Sequence, residues 1–117
     1  MSFFIETLTR RRRMLEEWGV WAERIAGVAR EVLPGARVYV VGSIVRGDYV
    51  ASSDVDILIV SENAPESARE RARIKASIEE HLGLPYYHPF EIHILKPSEA
   101  TNYLRRTGGH IVEVKQA

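Results

Sequence analysis

Gly42-Ser43-Ile44-Val45-Arg46-Gly47-Asp48-Tyr49-Val50-Ala51-Ser52-Ser53-Asp54-Val55-Asp56-Ile57-Leu58-Ile59-Val60 is the stretch on which the reading of this chain turns. Near its end, Asp54 and Asp56 stand two apart in what reads as a strand, so both carboxylates leave the same face. Val55, Ile57 and Ile59 face the other way, into a core. Two like charges side by side are costly unless a cation lies between them, and aspartate is disfavoured in strands to begin with. Local rules of this kind fail at functional sites, and a divalent metal held by oxygen ligands would repair the failure. At the start, a Gly-Ser turn sets backbone amides and a hydroxyl at the end of a strand, where glycine admits an anion closely. Arg46 can reach the same anion with its planar fork, or pair with Asp48 instead.

Outward from this stretch the chain alternates helices and strands. Before it, Arg37-Val38-Tyr39-Val40-Val41 reads as a buried strand between turn formers. Further upstream, Met14, Trp18, Trp21, Ile25, Val28 and Val32 recur at helical spacing and predict one helix from about Leu8 to Leu33, ended by Pro34-Gly35. Both tryptophans lie on that stripe and are expected in the core. Downstream, Pro65 to Leu82 reads as a charged helix with Pro65 in its first turn, closed by Gly83-Leu84-Pro85. Phe90, Ile92 and Ile94 alternate with Glu91, His93 and Leu95 in a third long strand. A short helix capped by Ser98 is expected through Arg106, then an edge strand from Ile111 to Val114. This order argues for one sheet with helices on it, an α/β (α+β) single domain spanning residues 1–117.

Glu91 is an acid on one face of a strand whose other face is apolar. If that strand neighbours the aspartate strand, three carboxylates converge. The plain alternative is an exposed strand residue. His93 shares the face of Glu91 and is more simply a surface or partly buried histidine. Arg10 to Arg13 wrap right around a helix among Glu6, Glu16 and Glu17, and read as a solvated helix start.

Composition bounds the rest. Sixteen Lys+Arg balance 16 Asp+Glu, so no overall charge draws the chain to nucleic acid or an anionic membrane. All three aspartates fall between Asp48 and Asp56, whereas glutamate serves elsewhere, as though the shorter acid were needed here. The absence of cysteine excludes disulfides, zinc–thiolate sites and thiol catalysis. No apolar run reaches the roughly 18 residues of a membrane span, and a cytoplasmic location is the expectation.

The run from Gly42 to Asp56 resembles the nucleotidyltransferase signature of the DNA polymerase β superfamily, a Gly-Ser pair followed after ten residues by Asp-x-Asp. The fuller stretch through Val60 is similar to the small stand-alone members, the minimal nucleotidyltransferases. The resemblance implies a small mixed β-sheet flanked by helices, with two Mg²⁺ ions held by Asp54, Asp56 and Glu91. It makes Gly42 and Ser43 the triphosphate turn, with Arg46 and Ser53 as further candidate nucleotide contacts. It implies transfer of a nucleoside monophosphate, AMP from ATP, to an acceptor hydroxyl. A domain this small must build its acceptor site by homo-oligomerising or with a partner, and the family's small members often pair with a helical HEPN-type protein as antitoxins. Phe3, Phe4, Ile5 and Leu8 are candidate docking residues. The rival expectation is a non-catalytic antitoxin subunit that neutralises such a partner by contact.

Overall fold

The computed structural model describes residues 2–116. Its elements run α1 (Phe3–Glu16), α2 (Trp18–Val32), β1 (Arg37–Val41), α3 (Ser43–Arg46), β2 (Val55–Val60), α4 (Ala68–His81), β3 (Phe90–Leu95), α5 (Pro97–Arg105) and β4 (Ile111–Val114). The four strands make one mixed sheet in the order β3-β2-β1-β4. β1 pairs antiparallel with both β2 and β4, and β2 pairs parallel with β3. A parallel pair needs a crossover, which α4 supplies.

β2 is the hydrophobic axis of the fold. Val55, Ile57 and Ile59 are fully buried on one face, against Met14, the apolar stripe of α2 and Ile78 of α4. Leu58 and Val60 are buried on the other, against Ala100, Tyr103 and Leu104 of α5. Each such side chain contributes about 1.5–3 kcal/mol through burial. The apolar sheet face expected from sequence is therefore present, and the opposite face is covered as well, except at the end where Asp56 stands. No helix among the described residues is long and apolar enough to cross a membrane.

Three of the expected helices have boundaries that differ from the sequence reading. The single helix from Leu8 to Leu33 is two helices, broken at Glu17 (φ −98°, ψ 27°) and beginning at Phe3 under a Ser2 cap whose hydroxyl accepts from the Ile5 amide at 3.2 Å. A straight helix of that length would run roughly 40 Å, about twice the length of a six-residue strand. The break lets α1 leave the line of α2 and reach the 51–54 turn, where Arg11 bonds the Ala51 and Ser53 carbonyls. Trp18 and Trp21 remain half-buried against the core, and Val32 is exposed. α4 starts at Ala68, because Ser67 caps it through the Glu70 amide, while the Pro65 carbonyl is taken by Arg71 at 2.6 Å. α5 starts at Pro97 itself. Glu99 accepts from the Lys96 amide at 2.9 Å, so Lys96, not Ser98, is the cap. Arg71 also bonds the Ile94 carbonyl and both Glu99 oxygens, clamping α4, β3 and α5 together.

Candidate active site

Strand register lays the site out as a row. Val41 pairs with Asp56 across β1 and β2, and Asp56 pairs with Glu91 across β2 and β3. Asp56 and Glu91 thus leave neighbouring strands side by side, on the face covered by α5. His93, two residues along β3, shares that face. Its Nε2 lies 3.3 Å from Asp56 Oδ1 and 3.8 Å from Glu91 Oε1. One donor atom from each of the three falls within 4.8 Å of the others. The carboxylate of Glu91 is half exposed and the other two side chains less so, leaving the group reachable from solvent.

Tyr103 of α5 closes this group from above the sheet. Its ring lies 5.2 Å from the His93 ring, and its hydroxyl is 3.5 Å from Nε2. Burial, then the negative charges of Asp56 and Glu91, raise the Tyr103 phenol above its ordinary value of 10.0. No Lys or Arg among the described residues pairs with Asp56 or Glu91, whose side-chain neighbour is the His93 ring.

The end of β1 brings a turn to the same place. Gly42 has φ +94°, and a Cβ built on it would lie 3.3 Å from Asp56 Oδ2. Only glycine allows both the backbone conformation and this approach. Ser43 follows as the first residue of α3, half-buried.

The remaining sequence candidates lie elsewhere. Asp54 precedes β2 instead of belonging to it, so it does not stand beside Asp56 on a strand face as expected. Its Oδ1 takes a 2.8 Å ion pair from Arg11, whose side chain is only 11% exposed. The strand begins one residue later, where the Val55 amide donates to the Pro89 carbonyl at 2.7 Å. Arg46 pairs with Asp48 on the surface, at 3.2 Å from both carboxylate oxygens. Ser53 uses its hydroxyl locally, accepting from the Val50 amide at 2.9 Å.

Sequence reasoning passed over Arg11 and Tyr103 and discounted His93. Arg11 had a signal. It stands three and four residues before the buried Met14 and Leu15, on the apolar side of α1, while Arg10, Arg12 and Arg13 are exposed. Beside Asp54 and Arg11 an open cavity of about 730 Å³ is lined also by Leu8, Arg12, Tyr86 and Tyr87, and it does not include Asp56 or Glu91. His88 borders it but is held structurally, with Nε2 2.5 Å from Glu79 and Nδ1 accepting from the Phe90 amide.

Two carboxylates and an imidazole converging at the end of a parallel strand pair form a donor set that suits a divalent cation. The sequence profile of the nucleotidyltransferase domain family matches residues 22–107, which include the Gly42–Asp56 run, Glu91, His93 and Tyr103 but not α1. Among solved structures, one crystal structure assigned as a nucleotidyltransferase is 27% identical with a TM-score of 0.63, over 78% of this chain and 94% of its own. A second protein assigned in the same way, from Sulfolobus solfataricus, is 24% identical with a TM-score of 0.55, over 84% and 78%. A toxin–antitoxin structure with AMP-PNP is 16% identical with a TM-score of 0.56, over 80% and 72%. The last two share the fold. No curated protein matches the chain.

Proposed function

The chain belongs to the nucleotidyltransferase domain family, and from that premise we propose that it acts as a single domain that transfers AMP from ATP to a hydroxyl on a helical, HEPN-type partner protein in the cytoplasm. The observation that carries this reading is the Asp56–Glu91 pairing beside the Gly42 turn, which approaches so closely that a Cβ built on Gly42 would lie 3.3 Å from Asp56 Oδ2. It sets a candidate cation site beside a candidate phosphate turn, the juxtaposition that phosphoryl chemistry needs.

In this reading Asp56 and Glu91 hold the divalent cation, Mg²⁺ by the family's expectation. Asp54 joins through the oxygen that Arg11 leaves free. The cation supplies neutralisation of the charge that gathers on the phosphates. Gly42 and Ser43 hold the triphosphate through the turn amides and the serine hydroxyl. Transfer forms a bond from the acceptor oxygen to the α-phosphorus and releases pyrophosphate, with the hydroxyl proton passing to a neighbouring carboxylate. Arg46 and Ser53 are the weaker candidates for nucleotide contact, since each already has a local partner. Arg46 would have to exchange Asp48 for phosphate.

A second reading, neutralisation of the partner by contact, is favoured by one observation. Phe3, Phe4 and Ile5 of α1 are exposed, and Phe3, Phe4 and Leu8 border a largely apolar groove of about 380 Å³ with Tyr86 and Tyr87. The toxin–antitoxin structure with AMP-PNP supports a partner-linked role in either reading.

The test is incubation with α-labelled ATP and Mg²⁺, with and without the product of the neighbouring reading frame, which this reading expects to be a small helical protein, for the wild type and Asp56→Asn. Label on the partner with wild type and none with the variant is the expected result. Label on RNA or a small molecule would refute the protein acceptor and keep the chemistry. Tight partner binding without nucleotide binding or label would leave the contact reading.

A further inference from the structure

We infer that His93 is itself a ligand of the cation, and that its imidazole makes the site bind cations of the Mn²⁺-to-Zn²⁺ series more tightly than Mg²⁺. This rests on the metal-dependent reading above and adds a donor atom that the sequence signature does not specify.

The argument is one of donor placement. Nε2 of His93 stands 3.3 Å from Asp56 Oδ1 and 3.8 Å from Glu91 Oε1. Donor atoms sharing one cation with bonds of about 2.1 Å lie roughly 3.0–3.4 Å apart, so Nε2 and Asp56 Oδ1 already stand at ligand spacing. The Glu91 oxygen, within 4.8 Å of both, has only a short way to close. The ring is held there by β3 and by Tyr103, whose ring packs at 5.2 Å. Asp54, by contrast, has Oδ1 engaged by a nearly buried guanidinium across the 51–54 turn. The convergent trio is therefore two carboxylates and one imidazole.

That composition has a chemical consequence. Mg²⁺ takes oxygen ligands almost exclusively and keeps its waters, whereas imidazole suits the first-row transition ions, whose affinities rise from Mn²⁺ through Co²⁺. Ligation requires Nε2 unprotonated, with the proton on Nδ1. A histidine that merely orients Asp56 by hydrogen bonding would strengthen every cation alike. A histidine that ligates discriminates.

The experiment measures Co²⁺ and Mg²⁺ binding calorimetrically on the purified chain, with and without ATP, for wild type, His93→Gln and Asp56→Asn. Pulsed electron paramagnetic resonance of the Mn²⁺-loaded wild type is recorded alongside. The expected results are a histidine ¹⁴N modulation in the Mn²⁺ spectrum and, for His93→Gln, a loss of Co²⁺ affinity of about tenfold or more with Mg²⁺ affinity within about threefold. Asp56→Asn should weaken both cations. Equal weakening of both cations by His93→Gln, or a Mn²⁺ spectrum without ¹⁴N coupling, would overturn the inference while leaving metal dependence in place. If circular dichroism shows that His93→Gln does not fold, the wild-type spectrum alone decides. No binding of either cation, even with ATP, would sink this inference and the metal-dependent reading together.

Discussion

Replacing Arg11 with methionine keeps an unbranched aliphatic side chain on α1 and removes the guanidinium. Three bonds are lost, to the Ala51 carbonyl at 3.0 Å, the Ser53 carbonyl at 3.0 Å and Asp54 Oδ1 at 2.8 Å. The two carbonyl bonds come from a donor that is only 11% exposed, and each contributes about 1 kcal/mol. The Asp54 side chain is 57% exposed, so solvent screening reduces the ion pair to about 0.5 kcal/mol. The sum is about 2.5 kcal/mol, which at about 4 °C per kcal/mol for a chain of this size lowers the melting temperature by about 10 °C. Asp54→Asn removes only the ion pair, with an expected drop of about 2 °C. Scanning calorimetry of both variants, repeated at about 1 M salt where the Debye length is about 3 Å, separates the two parts. The Asp54→Asn difference should vanish in salt and most of the Arg11→Met difference should survive. An Arg11→Met drop below about 3 °C, or one abolished by salt, would refute the idea that α1 is fastened to the turn through a nearly buried guanidinium.

Gly42→Ala forces a side chain onto φ +94° and to within 3.3 Å of the Asp56 carboxylate, and should cost about 1–3 kcal/mol in thermal unfolding while also weakening ATP binding. Arg71 holds the Glu99 carboxyl below its ordinary value of 4.5, chiefly through their hydrogen bonds, with the Lys96 amide second. A depressed folded-state value gives stability that is present above that ordinary value and lost as pH falls through the lowered one. Arg71→Met should therefore flatten the decline in melting temperature below about pH 4.5, and an unchanged acid limb would remove Glu99 from the account. Tyr103 has the opposite sign. Its raised phenol gives stability that is complete below the ordinary value of 10.0 and lost as pH rises through the higher one, so Tyr103→Phe should be more resistant to alkali. Ultraviolet titration of the tyrosines, wild type against variant, checks whether that phenol titrates late.

The strands were legible because their signal is local. Val38, Val40, Ile57 and Ile59 are β-branched residues at period two, bounded by turn formers, and each lies in a strand. The pairing of Asp56 with Glu91 was expected only on condition that β2 and β3 are neighbours, which they are. The break at Glu17 was not legible, because Met14, Trp18 and Trp21 keep the helical period straight across it. What separates the two helices includes Arg11 reaching carbonyls on a turn some forty positions downstream, which leaves no periodic trace. The placement of Asp54 just outside β2 was hidden in the same way. The Asp-x-Asp alternation looks like a strand from within, and the strand's actual start is set by the Pro89 carbonyl, contributed by a different part of the chain. Arg46 had two partners within reach of a sequence argument, and the nearer one, Asp48, holds it. His93 looked ordinary because two of the groups around it, Asp56 and Tyr103, are distant from it in sequence.

The row Val41–Asp56–Glu91 is held by backbone ladders and not by the segments that lead into it. Slipping either strand by one residue would turn a carboxylate to the opposite face and bury it among Ile57 and Ile92, so register is closely guarded. Residues 47–52 and 84–87 lie outside those ladders, and they reach the surface at the cavity beside Asp54, where Ala51, Ser52, Tyr86 and Tyr87 form part of the wall. Chains built on this plan can therefore exchange, lengthen or shorten those two loops while Asp56 and Glu91 stay where they are. Divergence among such proteins should accumulate in what they modify sooner than in how they modify it.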